Sequence, residues 1–139
     1  MLRIAVCDDE EQYVQQTANF VQEYLRRHPE LSGQVHTFQR GQELLCQVEE
    51  DGGFDLYLLD IIMPGLNGIQ TGQQLRELGN GGEIIYLTTS SDYAVDSYSV
   101  RAFFYLLKPI EQERLFEVLD AAVKKLSHRR QKAVLITTR

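Results

Sequence analysis

Cysteine is scarce: Cys7 and Cys46 are the only two in 139 residues. Neither sits in a ligand-like spacing, and no His or Cys cluster exists to hold zinc. Both read as small core or half-buried thiols in a reducing cytoplasm. Long hydrophobic runs are missing too. Asp55 and Asp60 bracket the longest candidate, far short of the roughly 20 apolar residues a bilayer requires. No membrane span is expected. Met1-Leu2-Arg3-Ile4 enters a strand pattern at once, leaving no room for a signal peptide. Positive charge is also short, with 14 Lys and Arg against 20 Asp and Glu and a net charge of −6. Residues 127–139 hold Arg129, Arg130, Lys132 and Arg139 and no acid, so 10 of the 14 cations face all 20 acids in the remaining body. Affinity for nucleic acid comes largely from neutralising phosphates, so this body is a poor surface for it. Internal repeats and low-complexity segments are absent as well.

What is present alternates. Hydrophobic runs at Leu2–Cys7, Gln34–Phe38, Leu56–Leu59, Ile84–Leu87 and Phe103–Leu107 read as five strands. Helical periodicity fills the gaps between them. A first helix runs from Glu10 to about His28, with Val14, Ala18, Val21 and Leu25 on one stripe and Pro29 stopping it. A second spans Gly41–Glu50 and breaks at Asp51-Gly52-Gly53. A third follows the loop Pro64-Gly65-Leu66-Asn67-Gly68 and ends near Leu78 at Gly79-Asn80-Gly81-Gly82. Asp92–Ser99 is a weak helix of low propensity. Glu111–His128 is a strong closing one, with Leu115, Val118, Leu119, Ala122 and Leu126 inward. Five βα units imply an α/β fold: one parallel five-stranded sheet with helices on both faces. The run Ala133–Thr138 is strand-like and belongs to no unit. It reads as a linker or as the first strand of a second domain outside this chain, with a stray extra strand or an ordered tail as the other reading.

Polar residues arrive where the strands stop. Asp8-Asp9 follow the first, Asp60 the third, Thr88 the fourth and Lys108-Pro109 the fifth. In an open parallel sheet, ligands collect outside the carboxyl ends of the strands. The mouth would therefore gather three carboxylates, a hydroxyl and an ammonium. Like charges at close range raise one another's pKa and weaken the fold. A hard divalent cation removes that penalty, and oxygen-only ligands suit Mg2+. Singly, each residue has a blander explanation: Asp8-Asp9 as a solvated helix cap, Lys108 as a solvated cation, Thr88 as a β-branched strand end. Lys108-Pro109 is also the type of bond at which a cis peptide costs little, and a cis bond would aim the lysine at the acids.

Those four motifs, in this order and spacing, resemble the receiver domain of two-component response regulators along Met1 to about Leu126. The matching pieces are Val6-Cys7-Asp8-Asp9-Glu10, Leu59-Asp60-Ile61-Ile62-Met63-Pro64-Gly65, Thr88, and Tyr105-Leu106-Leu107-Lys108-Pro109. Ser91-Asp92-Tyr93-Ala94-Val95 and the tyrosine before Leu106 look most like LytTR-type regulators, whose receivers precede a β-rich DNA-binding domain. The resemblance implies a flavodoxin-like (CheY-like) sheet of order 2-1-3-4-5. It divides the chain into a receiver at 1–126 and a basic linker, or start of an output domain, at 127–139. It makes Asp60 the phosphoacceptor, and Asp8, Asp9, Asp60 and the Ile62 backbone carbonyl the Mg2+ ligands. Lys108 and Thr88 would contact the phosphoryl group, and Tyr105 would be the aromatic switch.

The implied partners are a sensor histidine kinase, the chain's own C-terminal output domain, and a second copy through the face of the weak helix, the fifth strand and the last helix. No nucleic acid or membrane contact is implied for the receiver itself, and the setting is cytoplasmic. The sequence departs from the family pattern at three places. Thr89 stands where a smaller residue is usual, which narrows access. Ile62 offers no polar group to an attacking water, which implies slow loss of phosphate. Phe104 replaces an acid common before the tyrosine. Two rival readings stay open: an interaction module that never takes phosphate, and a Mg2+-dependent phosphatase, for which the short loops provide no lid.

Overall fold

The computed structural model describes residues 1–137, with side chains through Arg130. Five parallel strands form one sheet: β1 (Arg3–Cys7), β2 (Gln34–Phe38), β3 (Leu56–Leu59), β4 (Glu83–Thr88) and β5 (Phe104–Leu107). Their order is β2-β1-β3-β4-β5, as the resemblance implied. Five helices alternate with them: α1 (Glu11–Arg27), α2 (Gly41–Asp51), α3 (Gly68–Glu77), α4 (Ala94–Ser99) and α5 (Gln112–Thr137). No helix among the described residues is long and apolar enough to cross a membrane.

The two-residue period of a strand splits the core in two. Ile4, Val6, Leu56, Leu58, Ile85 and Leu87 point to one face and pack with Val14 and Val21 of α1 and Leu115, Val118 and Leu119 of α5. Ala5, Cys7, Tyr57, Leu59, Ile84 and Tyr86 point to the other and pack with Leu44, Leu45 and Val48 of α2 and Leu75 of α3. Each fully buried aliphatic side chain contributes about 1.5–3 kcal/mol. That two-sided burial is why β1, β3 and β4 read as unbroken apolar runs.

The structure corrects the sequence reading in three places. The closing helix does not stop near His128 but continues to Thr137, so 133–137 is helical rather than strand-like; Thr138 lies outside the described residues. No Gly or Pro interrupts the chain after Pro109. Lys125 and Arg129, four residues apart on one helix side, both reach the buried Glu83 at the start of β4, at 3.1 and 3.0 Å. In a helix residues four apart stand one turn, about 6 Å, from each other, whereas in a strand they would be roughly 13 Å apart. Second, the weak helix begins at Ala94 rather than Asp92, because the Asp92 N–H is taken by Ser90 Oγ in a turn. Third, Cys46 is exposed on α2, whereas Cys7 is buried as expected.

Candidate functional site

The hydrogen-bond ladder runs one residue past the strands, and this sets the site. The Asp8 N–H donates to the Phe38 carbonyl (3.1 Å), the Asp60 N–H to that of Cys7 (2.9 Å), and the Lys108 N–H to that of Thr88 (2.7 Å). The strand-end residues are thereby held level at one edge of the sheet. Asp8, Asp9 and Asp60 converge, offering one carboxylate oxygen each within 4.8 Å of the others. Lys108 Nζ lies 2.7 Å from Asp8 Oδ2 and 3.5 Å from Asp60 Oδ2, with the lysine side chain only 4% exposed and each of these aspartates 6%. The Lys108-Pro109 peptide is cis.

Local backbone fixes the other carboxylate oxygens. Asp8 Oδ1 accepts from the Glu10 N–H at 3.0 Å, and Asp60 Oδ1 from the Ile61 N–H at 2.8 Å. The loop after Asp60 returns into α3, whose start is sealed by a capping box in which Asn67 and Gln70 exchange side chain-to-backbone hydrogen bonds. Gly68 is required there. A Cβ at this position would stand 2.2 Å from the Asp60 carbonyl oxygen, so any larger residue would push α3 off the acceptor strand.

Burial pushes the Asp60 carboxyl above its ordinary range. Asp8 adds to the rise, while Lys108, the Ile61 N–H and the Thr88 hydroxyl pull the other way. Three carboxylates against one ammonium leave excess negative charge where Asp8, Asp60 and Lys108 are nearly buried and Asp9 is partly exposed. An all-oxygen donor set with that excess fits a hard divalent cation such as Mg2+. The neighbouring thiol does not compete as a ligand. Burial, with the surrounding acids, pushes Cys7 up to about 12, so it stays protonated, 3.9 Å from Met63 Sδ.

Thr88 is fully buried at the end of β4, and its Oγ1 accepts weakly from the Ser90 N–H at 3.5 Å. Tyr105 is half-buried on β5. Its hydroxyl donates to the Ser90 backbone carbonyl, tying β5 to the β4–α4 loop. The side chains of Ile62 and Thr89 are exposed. All the side chains singled out in the sequence for the acidic mouth thus meet at one edge. One residue there was missed: Tyr13 of α1, whose ring centroid lies 3.9 Å from Lys108 Nζ. Its signal was an aromatic one helical turn beyond the acidic doublet.

Comparison with known proteins agrees with this geometry. The response regulator receiver domain family matches residues 4–120. The sensory transduction protein LytR of Streptococcus agalactiae is 30% identical over 128 residues, 91% of this chain and 49% of that protein. The response regulatory domain of protein mrkE from Klebsiella pneumoniae superposes with a TM-score of 0.79 at 21% identity, covering 91% of this chain and 99% of that one. The response regulator TrrA of Thermotoga maritima, solved in complex with Mg2+-BeF, superposes at 0.70 with 28% identity, covering 88% and 99%. The chain spans about half the length, or less, of the curated relatives it matches. From the strand-end acids to the order of its sheet, the chain belongs to the response regulator receiver domain family of two-component systems.

Proposed function

We propose that this receiver takes a phosphoryl group from a sensor histidine kinase onto Asp60 in a Mg2+-dependent reaction, and that the phosphorylated chain signals through the face of α4, β5 and α5. The observation that carries the reading is the meeting of three carboxylates and one ammonium, with Lys108 Nζ between Asp8 (2.7 Å) and Asp60 (3.5 Å). Asp8, Asp9, Asp60 and the Ile62 backbone carbonyl would hold Mg2+, which supplies charge neutralisation for phosphoryl oxygens when bound. The Asp60 oxygen facing Lys108 attacks phosphorus, forming an acyl phosphate. The phosphorus–nitrogen bond of the donor phosphohistidine breaks, and its electron pair leaves with the imidazole. Lys108 then pairs with a phosphoryl oxygen as a charge-assisted donor, and the Thr88 hydroxyl turns to another. Ile62 places no polar group beside the acyl phosphate, so hydrolysis is slow.

The readout requires an element with two arrangements. The β4–α4 loop, held by the Tyr105 hydroxyl at Ser90, is that element. When Thr88 moves, Tyr105 releases Ser90 and turns inward. The neighbouring face exposes Val95 at 79%, Tyr98 at 81% and Leu107 at 52%, apolar surface suited to a second phosphorylated copy. Residues 1–126 form the receiver. Residues 127–139 are a basic linker towards a C-terminal output domain, of the LytTR DNA-binding type by similarity to LytR. The acidic receiver itself contacts neither nucleic acid nor membrane, and the setting is cytoplasmic.

Intact-mass measurement after incubation with Mg2+ and acetyl phosphate tests the reading. The wild type gains one alkali-labile phosphoryl group and Asp60→Asn gains none. Turnover of the donor without a mass gain would identify a phosphatase. No reaction at all would identify an interaction module.

A further inference from the structure

Three groups surround the Lys108 ammonium: Asp8 Oδ2, Asp60 Oδ2 and the face of the Tyr13 ring, centroid at 3.9 Å. Together they leave the lysine side chain 4% exposed. Tyr13 stands in the first turn of α1, its N–H bonded to the Glu10 carbonyl at 3.1 Å. That helix begins directly after the acidic doublet, so a single turn brings the ring back over the strand ends.

A ring face attracts a cation through its quadrupole, more strongly once water is excluded. Unlike a fourth carboxylate, it adds no negative charge to a site that already holds three. It can grip the ammonium without competing for a metal or repelling a phosphoryl group. The two carboxylate contacts belong to the resting site, and transfer to Asp60 exchanges at least one of them for phosphoryl oxygens. The ring contact draws on neither carboxylate, so that exchange does not of itself remove it.

We infer that Tyr13 is a positioning residue for phosphoryl transfer: its ring face keeps the Lys108 ammonium inside the site, beside Asp8 at rest and beside the phosphoryl group afterwards. This rests on Asp60 being the acceptor. Without the ring, the flexible four-carbon stem of lysine reaches solvent, and a fraction of molecules meets the donor with no ammonium in place.

The test compares rates of phosphorylation by acetyl phosphate with Mg2+ for the wild type, Tyr13→Phe, Tyr13→Leu and Tyr13→Met. Phe keeps the ring face and should stay within about twofold of wild type. Leu and Met keep apolar bulk but no ring, and should fall about tenfold, in line with a desolvated cation–π contact. A role in packing alone would be rescued by Leu or Met. A role for the hydroxyl would be lost in Phe. Either pattern overturns the inference, as does an unchanged rate in Leu. The Lys108 ε-CH2 signals give a readout independent of activity and of whether the Leu and Met variants fold. They should be ring-shifted upfield in the wild type and in Tyr13→Phe, and unshifted signals in the wild type would refute the contact outright. If the wild type itself gains no phosphoryl mass, the acceptor assignment fails, and the role of Tyr13 in transfer fails with it. A wild type that gains the mass beside a Tyr13→Leu of equal rate sinks this inference alone.

Discussion

Replacing Lys108 with methionine removes one cation from between two nearly buried carboxylates. The substitution abolishes the ion pairs at 2.7 Å to Asp8 and 3.5 Å to Asp60, and with them the cation over the Tyr13 ring face. Breaking a buried pair by deleting one partner costs about 3–5 kcal/mol, because the remaining charge is left uncompensated. Protonation of Asp60 caps the loss. Its carboxyl is already raised by burial, and losing the Lys108 attraction raises it further, so the lower end of that range, about 3 kcal/mol, is the expected cost. For 139 residues the unfolding entropy at the midpoint is about 0.3 kcal/mol/K, so Tm should fall by roughly 10 °C in EDTA. The pH dependence has a definite sign. A carboxyl whose folded pKa is raised favours the native state while it is protonated, and that contribution disappears as pH climbs through the folded pKa. The gap between variant and wild type should therefore be small near the ordinary aspartate value of 3.8 and widen towards neutrality. Mg2+ should then stabilise the variant more than the wild type, since the ion no longer competes with an ammonium for the same oxygens. Thermal unfolding followed by circular dichroism, with Mg2+ titrated at two pH values, measures all of this. An unchanged Tm in EDTA, or weaker rescue by Mg2+ in the variant, would refute the view that Lys108 neutralises the acidic mouth.

Asp60→Asn, besides blocking phosphorylation, should raise the metal-free Tm at neutral pH, because it deletes a charge that burial and Asp8 disfavour; a lower Tm in EDTA contradicts this. Arg76 donates to the backbone carbonyls of Val100, Asn80, Gly82 and Arg101, and orphaning them in Arg76→Ala should cost about 2–3 kcal/mol, read as a shift in urea midpoint. The beryllofluoride-treated protein should dimerise in sedimentation through Val95, Tyr98 and Leu107; a monomer at high concentration refutes that face. The phosphorylated protein should persist well beyond minutes and lose phosphate faster in Ile62→Asn, checked by the decay of the phosphorylated mass.

The parallel sheet and the acidic mouth were both legible in the chain alone, since both depend on short-range signals. Apolar runs such as Leu56–Leu59 mark strands buried on both faces, and Asp8, Asp60, Thr88 and Lys108 follow directly where such runs end. Once the strands pair in register, their terminal residues have nowhere to go but one edge. Other features needed partners far away in the chain. That the closing helix passes His128 is visible at Glu83, a buried carboxylate some forty residues earlier that Lys125 and Arg129 both reach from one helix side. Cys46 is a local case by contrast: its near neighbours Leu44, Leu45 and Val48 hold the inner side of the same helix and leave it outward. Tyr13 stands one helical turn after the acidic doublet, which places it near the site, but its partner Lys108 lies ninety-five residues away and only folding brings the ring over that ammonium.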